Sequence, residues 1–163
     1  MSGCGCAEVV TPGLLDLFDA RGRMVAAARP VDGIETVALG EAYRRVLAED
    51  LLATLDMPGV DNSAMDGYAL RLAELGPEGL PVALRVPAGA GVLELPEGGC
   101  ARIFTGAPLP LGADAVVPQE RVTLDAEGRM HVEGDVAEGA NIRRCGEETR
   151  RGALLLPAGA RLD

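Results

Sequence analysis

Apolar residues at helical spacing mark the first regular element of the chain. They follow Thr11-Pro12, a hydroxyl cap and a proline at the first helical position, which together are typical of a helix start. Pro30 ends the pattern, so a helix is predicted between these points, with an apolar face that must pack against another surface. A partner subunit is one candidate for that surface. The apolar positions are Leu14, Leu17, Phe18, Met24, Val25 and Ala28.

Alternation of apolar and polar residues predicts the next elements. Residues 34–39 alternate and predict a strand, whereas residues 40–45 predict a short helix with its apolar side chains on one side. Residues 51–55 return to strand character. The first third of the chain is therefore expected to mix helix and strand.

The pattern changes after residue 55, where short apolar runs alternate with glycine and proline. Turn signals come roughly every eight to twelve residues, which is the spacing of a small all-β lobe. The segment 125–128 predicts a hairpin loop, with Gly128 at the position that tolerates a positive φ. A strand is also predicted to begin at Tyr68. The other predicted strands are residues 81–86, 91–95, 101–104, 115–117, 121–124, 129–132 and 153–156.

These elements predict an α+β fold in which a mostly-β lobe is inserted in a small mixed α/β lobe formed from both chain ends. Residues 11–54 and 140–163 form the mixed lobe, which we expect to carry a dimerisation contact. Residues 55–139 form the β lobe, and residues 1–10 are a flexible tail. A chain of 163 residues is long enough for one domain or two small lobes.

Charge and composition exclude several classes of protein. The net charge of −10 argues against binding to nucleic acid or to an anionic membrane. The chain contains no lysine, so neither a lysine Schiff base nor a phosphate-loop lysine can occur in it. The single histidine, His131, argues against a His-rich zinc site or a Ser-His-Asp triad. It lies in an alternating stretch and is expected to be a strand surface residue.

The remaining composition indicates a cytoplasmic protein. No apolar run approaches the length of a membrane span, and no secretory signal precedes the first helix. The four cysteines are sparse and form no framework of the secreted type. Cys4 and Cys6 could bind a soft metal ion, but one such pair supplies only two ligands.

The densest group of polar side chains lies at residues 61–69, with the sequence Asp-Asn-Ser-Ala-Met-Asp-Gly-Tyr-Ala. A loop rich in oxygen ligands that leads into a strand is a common place for a binding site. Gly67 is expected to give its backbone conformational freedom. The alternative is a solvated turn, because Asp, Asn, Ser and Gly are the common turn formers.

Three further segments share this character. In residues 103–110, Thr105 follows a predicted strand, with a plain turn as the alternative. In residues 113–120, a short apolar strand delivers Gln119 and Glu120 to its end, where both could also be merely solvated. In residues 141–148, two arginines stand beside two glutamates. That set suits an oxyanion together with Mg²⁺, or forms a surface ion-pair cluster.

The four segments resemble, in order, the motifs of the molybdopterin molybdenumtransferase family, which includes the bacterial MoeA proteins and the E domain of gephyrin. The motifs are Asp-Asn-Ser-Ala-Met-Asp-Gly-Tyr-Ala at 61–69, Arg-Ile-Phe-Thr-Gly-Ala-Pro at 102–108, Ala-Val-Val-Pro-Gln-Glu at 115–120, and Asn-Ile-Arg-Arg-Cys-Gly-Glu-Glu at 141–148. The resemblance implies a transferase of molybdenum cofactor biosynthesis. It would insert molybdate into adenylylated molybdopterin and release AMP, with a divalent cation such as Mg²⁺ required.

The resemblance also implies site residues. Asp66 and Thr105 match family positions implicated in catalysis, and Glu148 falls where members often carry aspartate. Asp66 and Glu148 are the expected metal ligands. The expected substrate-binding residues are Ser63, Gln119, Glu120 and Arg143.

Family members continue beyond the length of this chain into a domain that binds the pterin and nucleotide. The resemblance therefore implies a homodimer in which this chain supplies half of a composite active site and has no turnover alone. Two alternatives stay open: a non-catalytic binding or dimerisation module derived from the family, and metal handling through Cys4 and Cys6.

Overall fold

A computed structural model describes residues 13–163 of the chain. The described residues divide into two compact units, the first ending at Ala42 and the second comprising Tyr43–Asp163. The predictions for the tail at residues 1–10, for Cys4 and Cys6, and for the helix start at Thr11-Pro12 lie outside the described residues.

The first unit contains α1, Leu17–Ala27, which begins later than the sequence pattern predicted. Its cap is Asp16, whose carboxylate accepts a hydrogen bond from the backbone N–H of Phe18 at 2.8 Å. This contact satisfies one of the amides that a helix start leaves without an intrahelical partner. None of the side chains of α1 is buried.

The predictions of a strand at 34–39 and of a helix at 40–45 are wrong. Residues 34–38 have no regular structure, and only a 3₁₀ turn, Leu39–Glu41, follows them. Alternation supports a strand only where a neighbouring strand accepts its hydrogen bonds, and no described strand pairs with this segment. Arg44 then takes a positive φ of 65°, which a right-handed helix does not allow.

The second unit is built from ten short strands and includes a six-stranded sheet with the order β6-β3-β5-β4-β8-β7. Strand β3 pairs antiparallel with both β5 and β6, whereas β4 and β5 are parallel. The strands are β1 (Leu51–Leu52), β2 (Asn62–Ser63), β3 (Gly67–Leu70), β4 (Leu80–Val86), β5 (Cys100–Ile103), β6 (Ala115–Pro118), β7 (Val122–Leu124), β8 (Arg129–Val132), β9 (Ile142–Arg143) and β10 (Leu154–Leu156).

Both faces of the central strands are buried, because successive side chains of a strand point to opposite faces. Ala69 belongs to one apolar cluster, and its neighbours Tyr68 and Leu70 belong to the other. Val116 and Val117 divide between the same two clusters. The sheet is thus the middle layer of an aliphatic core.

Two strand pairs lie outside this sheet. The pair β1–β10 joins residues from the two ends of the second unit, and isolated bridges join Val46 to Arg161 and Met57 to Thr149. The pair β2–β9 joins residues 61–66, which we call the central loop, to residues 142–143. The predicted α+β class is confirmed, since residues 13–163 combine one α-helix with ten strands. The lobe boundaries at residues 55 and 139 stay a prediction.

Most predicted strands of the β lobe are confirmed, including the hairpin in which Gly128 takes a φ of 76°. The prediction of a strand at 91–95 is wrong, because this segment contributes only one bridge, between Glu94 and Leu111. The strand predicted at 51–55 shortens to two residues.

Among residues 13–163, no helix combines the length and apolar character needed to cross a bilayer.

Gly67 is required by close packing and not by the conformational freedom that the sequence suggested. Its φ is not among the positive values of the described residues. A Cβ at this position would instead overlap the carbonyl oxygen of Val117 on the adjacent strand β6. Only glycine therefore lets β3 and β6 approach this closely.

Gly67→Ala is expected to lower the free energy of unfolding by about 1–3 kcal/mol, because the new methyl group meets backbone that cannot move without breaking the sheet. Urea unfolding followed by circular dichroism measures the change.

Gly91→Ala is the matched control, since a Cβ there meets nothing within 4 Å and the residue is not at positive φ. It should shift the free energy of unfolding by less than about 1 kcal/mol. Equal effects of the two substitutions would show that the close approach at Gly67 is not a structural requirement.

Candidate functional site

The ends of three strands meet at Asp66. Because β3 is antiparallel to β5 and β6, the residue before β3 faces the residues that follow the other two strands. Asp66 accepts a hydrogen bond at its backbone oxygen from the N–H of Gln119, at 3.0 Å. Its side chain reaches Thr105, two residues beyond β5. We call this meeting point the strand junction: Asp66, Gly67, Ile103, Thr105 and Gln119.

Thr105 holds the Asp66 carboxylate with two hydrogen bonds to the same oxygen. The backbone N–H of Thr105 donates to Oδ1 at 2.8 Å, and its hydroxyl donates to Oδ1 at 2.7 Å. These donors lower the pKa of Asp66 from its ordinary value of 3.8, the backbone N–H most, and the charge of Arg102 lowers it further. The carboxylate is therefore ionised at neutral pH, and it is only partly buried.

Arg102 is the cation of the strand junction, and the sequence analysis assigned it no role. Its Nη1 donates to the carbonyl oxygens of Gly67 and Ile103, both at 2.9 Å, and its Nη2 donates to the side-chain oxygen of Gln119. The guanidinium also lies over the rings of Tyr68 and Phe104. The sequence signal that could have identified it is a charged residue in the otherwise apolar predicted strand 101–104.

The predicted substrate-binding residues Gln119 and Glu120 lie together at this junction. Both are exposed, and the amide nitrogen of Gln119 donates to the Glu120 carboxylate at 3.3 Å. The backbone of Gln119 is bonded to Asp66 and Glu120 follows in the chain, so both side chains are accessible beside the strand junction.

Ser63 has a different environment, because it is completely buried. Its hydroxyl donates to the backbone oxygen of Met65, and its backbone pairs with Ala107 and Gly106. Across β2–β9 it also faces Ile142. Ser63 thus shapes the central loop and joins it to the following loop, while its predicted contact with substrate stays a prediction.

Residues 141–148 form a second charged group, which we call the arginine loop. Asp61 accepts hydrogen bonds from the backbone N–H of Cys145 at 2.8 Å and from the Arg144 guanidinium at 2.7 Å. The pKa of Asp61 is lowered, chiefly by the Cys145 amide and also by Arg144. Both ends of the central loop therefore carry carboxylates that are fixed in the ionised form.

Arg143 and Glu148 are held more loosely in this loop. Their nearest charged atoms lie 4.0 Å apart, and both side chains are more than half exposed, at 54% and 57%. An exposed pair at this distance contributes little to stability, so both groups are free to turn toward a ligand.

The structure does not join the two predicted metal ligands by a direct contact. Among residues 13–163, no hydrogen bond or ion pair links Asp66 to Glu148, and no group of three or more His, Cys, Asp or Glu side chains is placed to hold a metal ion. Mg²⁺ is usually bound by one or two carboxylates, with phosphate oxygens and water completing its shell. Asp66 fits that partial role, because Thr105 occupies only one of its oxygens.

Cys100 and His131 contact neither the strand junction nor the arginine loop. Burial raises the pKa of the Cys100 thiol to about 11, so it is not a nucleophile. His131 lies in β8, as predicted, and its Nε2 is 2.8 Å from the Asp125 carboxylate. A surface cavity of about 350 Å³ beside His131 and Pro77 is lined by neither the strand junction nor the arginine loop.

Comparison with known families gives one match that spans most of the chain. A model described as "MoeA N-terminal region (domain I and II)" matches residues 15–163.

Named relatives share this likeness. The molybdopterin molybdenumtransferase of Haemophilus influenzae is 38% identical over 152 residues, which cover 91% of this chain and 37% of that protein. The Synechococcus elongatus enzyme of the same name is 43% identical over 137 residues, covering 79% of this chain and 34% of that protein. The chain thus spans little more than a third of the length of these relatives.

Solved structures give the same picture. A crystal structure of a molybdopterin biosynthesis moeA protein from Pyrococcus horikoshii has a TM-score of 0.69 and 36% identity, covering 79% of this chain and 36% of that chain. A second structure from this organism has a TM-score of 0.74 and 30% identity, covering 88% and 38% of the two chains.

Thr105→Val removes one of the two donors to Asp66 and keeps the backbone donor, so the pKa of Asp66 should rise but stay below 3.8. A lowered pKa in the folded state stabilises the fold above the ordinary carboxyl pKa, and this contribution is lost as the pH falls through the lowered value. The valine variant should therefore lose less stability on acidification. Carbon-13 NMR titration of the Asp66 carboxyl group measures the shift.

Thr123→Val is the control, because Thr123 is an exposed threonine on β7 of the same sheet. It should leave the pKa of Asp66 unchanged. An Asp66 pKa that is the same in the Thr105→Val variant would mean that the hydroxyl contact does not exist in solution.

Proposed function

The chain belongs to the MoeA N-terminal region family, and on that basis we propose that it is the N-terminal part of a molybdopterin molybdenumtransferase. The reaction proposed is the insertion of molybdate into adenylylated molybdopterin with release of AMP, in molybdenum cofactor biosynthesis. The observation that carries the proposal is the partly exposed Asp66 carboxylate, which Thr105 holds in its ionised form.

An ionised carboxylate cannot by itself attract molybdate or phosphate, because all three are anions. A divalent cation bound at Asp66 would supply the missing positive charge and draw phosphate oxygens toward the strand junction. The role of the chain is then to fix that carboxylate: Thr105 orients it, and the pairing of β3 with β5 and β6 holds the backbone on both sides. Use of Mg²⁺ is part of this proposal.

Arg143 and Glu148 are proposed to act from the arginine loop. A guanidinium binds an oxyanion through two parallel N–H groups, and the loose pairing of Arg143 with Glu148 leaves that fork accessible. Glu148 would share the cation with Asp66 once a ligand brings the two groups together. Gln119 and Glu120 supply amide and carboxylate groups at the edge of the same surface.

The site is proposed to be composite. The part of each relative that would complete the enzyme has no counterpart in these 163 residues, because the match covers 37% of the Haemophilus influenzae protein. The chain alone is therefore expected to bind without turnover, and the pterin and nucleotide would be held by the remaining part. A cytoplasmic location of the protein is part of this proposal.

The test uses a hybrid protein, in which this chain is joined to the part of the Haemophilus influenzae relative that it does not match. The hybrid should release AMP from adenylylated molybdopterin when molybdate and Mg²⁺ are present, and the chain alone should not. Asp66→Asn should lower the rate by at least about a hundredfold, because the charge that holds the cation is lost.

Asp135→Asn is the matched control, an exposed aspartate beyond β8. It should release AMP at the rate of the unsubstituted hybrid. A folded hybrid with Asp66→Asn that keeps the full rate would remove Asp66 from the mechanism and leave the chain as a binding module.

A second candidate function, a non-catalytic dimerisation module, is favoured by one feature. The paired strands β1 and β10, which we call the leucine ribbon, expose apolar side chains on a two-stranded sheet. Leu52 and Leu154 lie directly opposite each other and are 48% and 55% exposed. A contiguous exposed apolar surface commonly marks a protein contact. A homodimer formed through this ribbon is compatible with the enzymatic proposal as well.

Sedimentation velocity should show a dimer of this chain, and Leu52→Glu should convert it to monomer because a carboxylate would be buried in an apolar contact. Leu124→Glu is the control, on β7, where the leucine is similarly exposed at 53%. A dimer that persists in Leu52→Glu would exclude the leucine ribbon as the interface.

A further inference from the structure

We propose that Arg102 is a positioning residue, which sets the separation and orientation of Asp66 and Thr105 by binding the three strand ends of the junction with one planar group. The kinetic effect expected of Arg102 rests on the proposed function. Its effect on the three strand ends can be tested without that function.

The hydrogen bonds of Arg102 reach all three strands. Nη1 donates to Gly67 O, next to Asp66 in the chain, and to Ile103 O, two residues before Thr105. Nη2 donates to the side chain of Gln119, whose backbone N–H binds Asp66 O. A displacement of any one strand end would therefore break a contact to the same guanidinium.

Two aromatic rings lie within cation–π distance of that guanidinium. Its central carbon lies 4.5 Å from the centre of the Phe104 ring and 5.3 Å from that of Tyr68. Stacking of this kind favours a planar, delocalised cation over an ammonium group. Lysine at this position would keep the charge, but its compact ammonium group lacks the fork of Nη1 and Nη2 that joins Gly67, Ile103 and Gln119.

Arg102 also acts on Asp66 electrostatically. Its positive charge is one of the causes of the lowered pKa of Asp66, after the two Thr105 donors. Arg102 therefore has two separable effects on the Asp66 carboxylate, one through its hydrogen bonds and one through its charge. Arg102→Lys removes the hydrogen-bonding effect and keeps most of the charge effect.

Arg85 provides a control that is matched in several respects. It lies on β4 directly beside Arg102 in the register, and its guanidinium is 5.0 Å from the centre of the same Phe104 ring. Among the hydrogen bonds of residues 13–163, none joins Arg85 to the strand junction. Arg85→Lys thus tests loss of a stacked guanidinium without loss of the three strand contacts.

The first experiment measures hydrogen exchange of the Thr105 amide in this chain by NMR. Arg102→Lys should increase its exchange rate by about tenfold or more, because the strand ends open more often. Phe104→Leu, which removes one stacking ring but keeps every donor, should give a smaller increase in the same direction. Arg85→Lys should leave the rate unchanged. Equal rates in wild type, Arg102→Lys and Phe104→Leu would overturn the proposal.

The second experiment measures AMP release by the hybrid protein. Arg102→Lys should lower kcat about tenfold to a hundredfold, since a small misplacement of a catalytic group is costly, while KM for molybdate stays within about twofold. A raised KM with unchanged kcat would make Arg102 a binding residue instead. A lower melting temperature with unchanged kcat and KM would make its role purely structural, and either result would overturn the proposal.

The two experiments separate this inference from the proposed function. An unsubstituted hybrid that is folded but releases no AMP would count against the proposed function alone. Exchange of the Thr105 amide would then decide the role of Arg102 by itself.

Discussion

The pairing of one short strand with two neighbours is the constraint on which the candidate site depends. Strand β3 has four residues, and its first residue, Gly67, faces Ile103 on β5 and Pro118 on β6. This double pairing is possible only because Gly67 lacks a Cβ that would overlap the backbone of β6. Where β3 begins, the chain must therefore bring Asp66 against the ends of both neighbours. The contact between Asp66 and Thr105 is a consequence of strand register.

The substrates proposed for this chain are anions, and the charges near the strand junction show how an acidic protein would bind them. The net charge of −10 repels anions at long range, and the fixed carboxylates of Asp61 and Asp66 add to that repulsion locally. Positive charge is supplied at short range by Arg102 at the junction and by Arg143 in the arginine loop. A bound divalent cation would complete this balance, so recognition is expected to depend on close geometry instead of general attraction.

The sequence predicted those parts of the fold whose signal is local. The strands around Tyr68, Cys100, Val116 and Met130 were found because apolar runs between turn residues indicate buried strands whatever their partners are. The strand at 34–39 was predicted from alternation, which is also a local pattern, but no described strand pairs with this segment, and sequence does not show which segments will be paired. The local sequence pattern therefore does not show which strand a segment will pair with.

The same limit applies to the site. Asp66 and Thr105 were identified from motif residues that the structure then joins, whereas the glycine freedom inferred for Gly67 proved to be close packing against β6. Arg102 lies within a motif, but its role could not be predicted, because it depends on three acceptors that lie 1, 17 and 35 residues away in the chain. The burial of Ser63 likewise depends on contacts with residues 106–107 and 142.

The most direct test of the account is to detect the hydrogen bond between Thr105 and Asp66 in solution. A long-range HNCO experiment should show scalar coupling from the Thr105 amide nitrogen to the Asp66 carboxyl carbon, because the N–H donates to Oδ1 at 2.8 Å. The bond from the Gln119 amide to the Asp66 backbone carbonyl, at 3.0 Å, serves as the internal reference in the same spectrum. Coupling in both pairs would support a carboxylate fixed by strand register. Coupling for Gln119 with none for Thr105 would contradict the account, since the strands would then be paired without fixing the carboxylate.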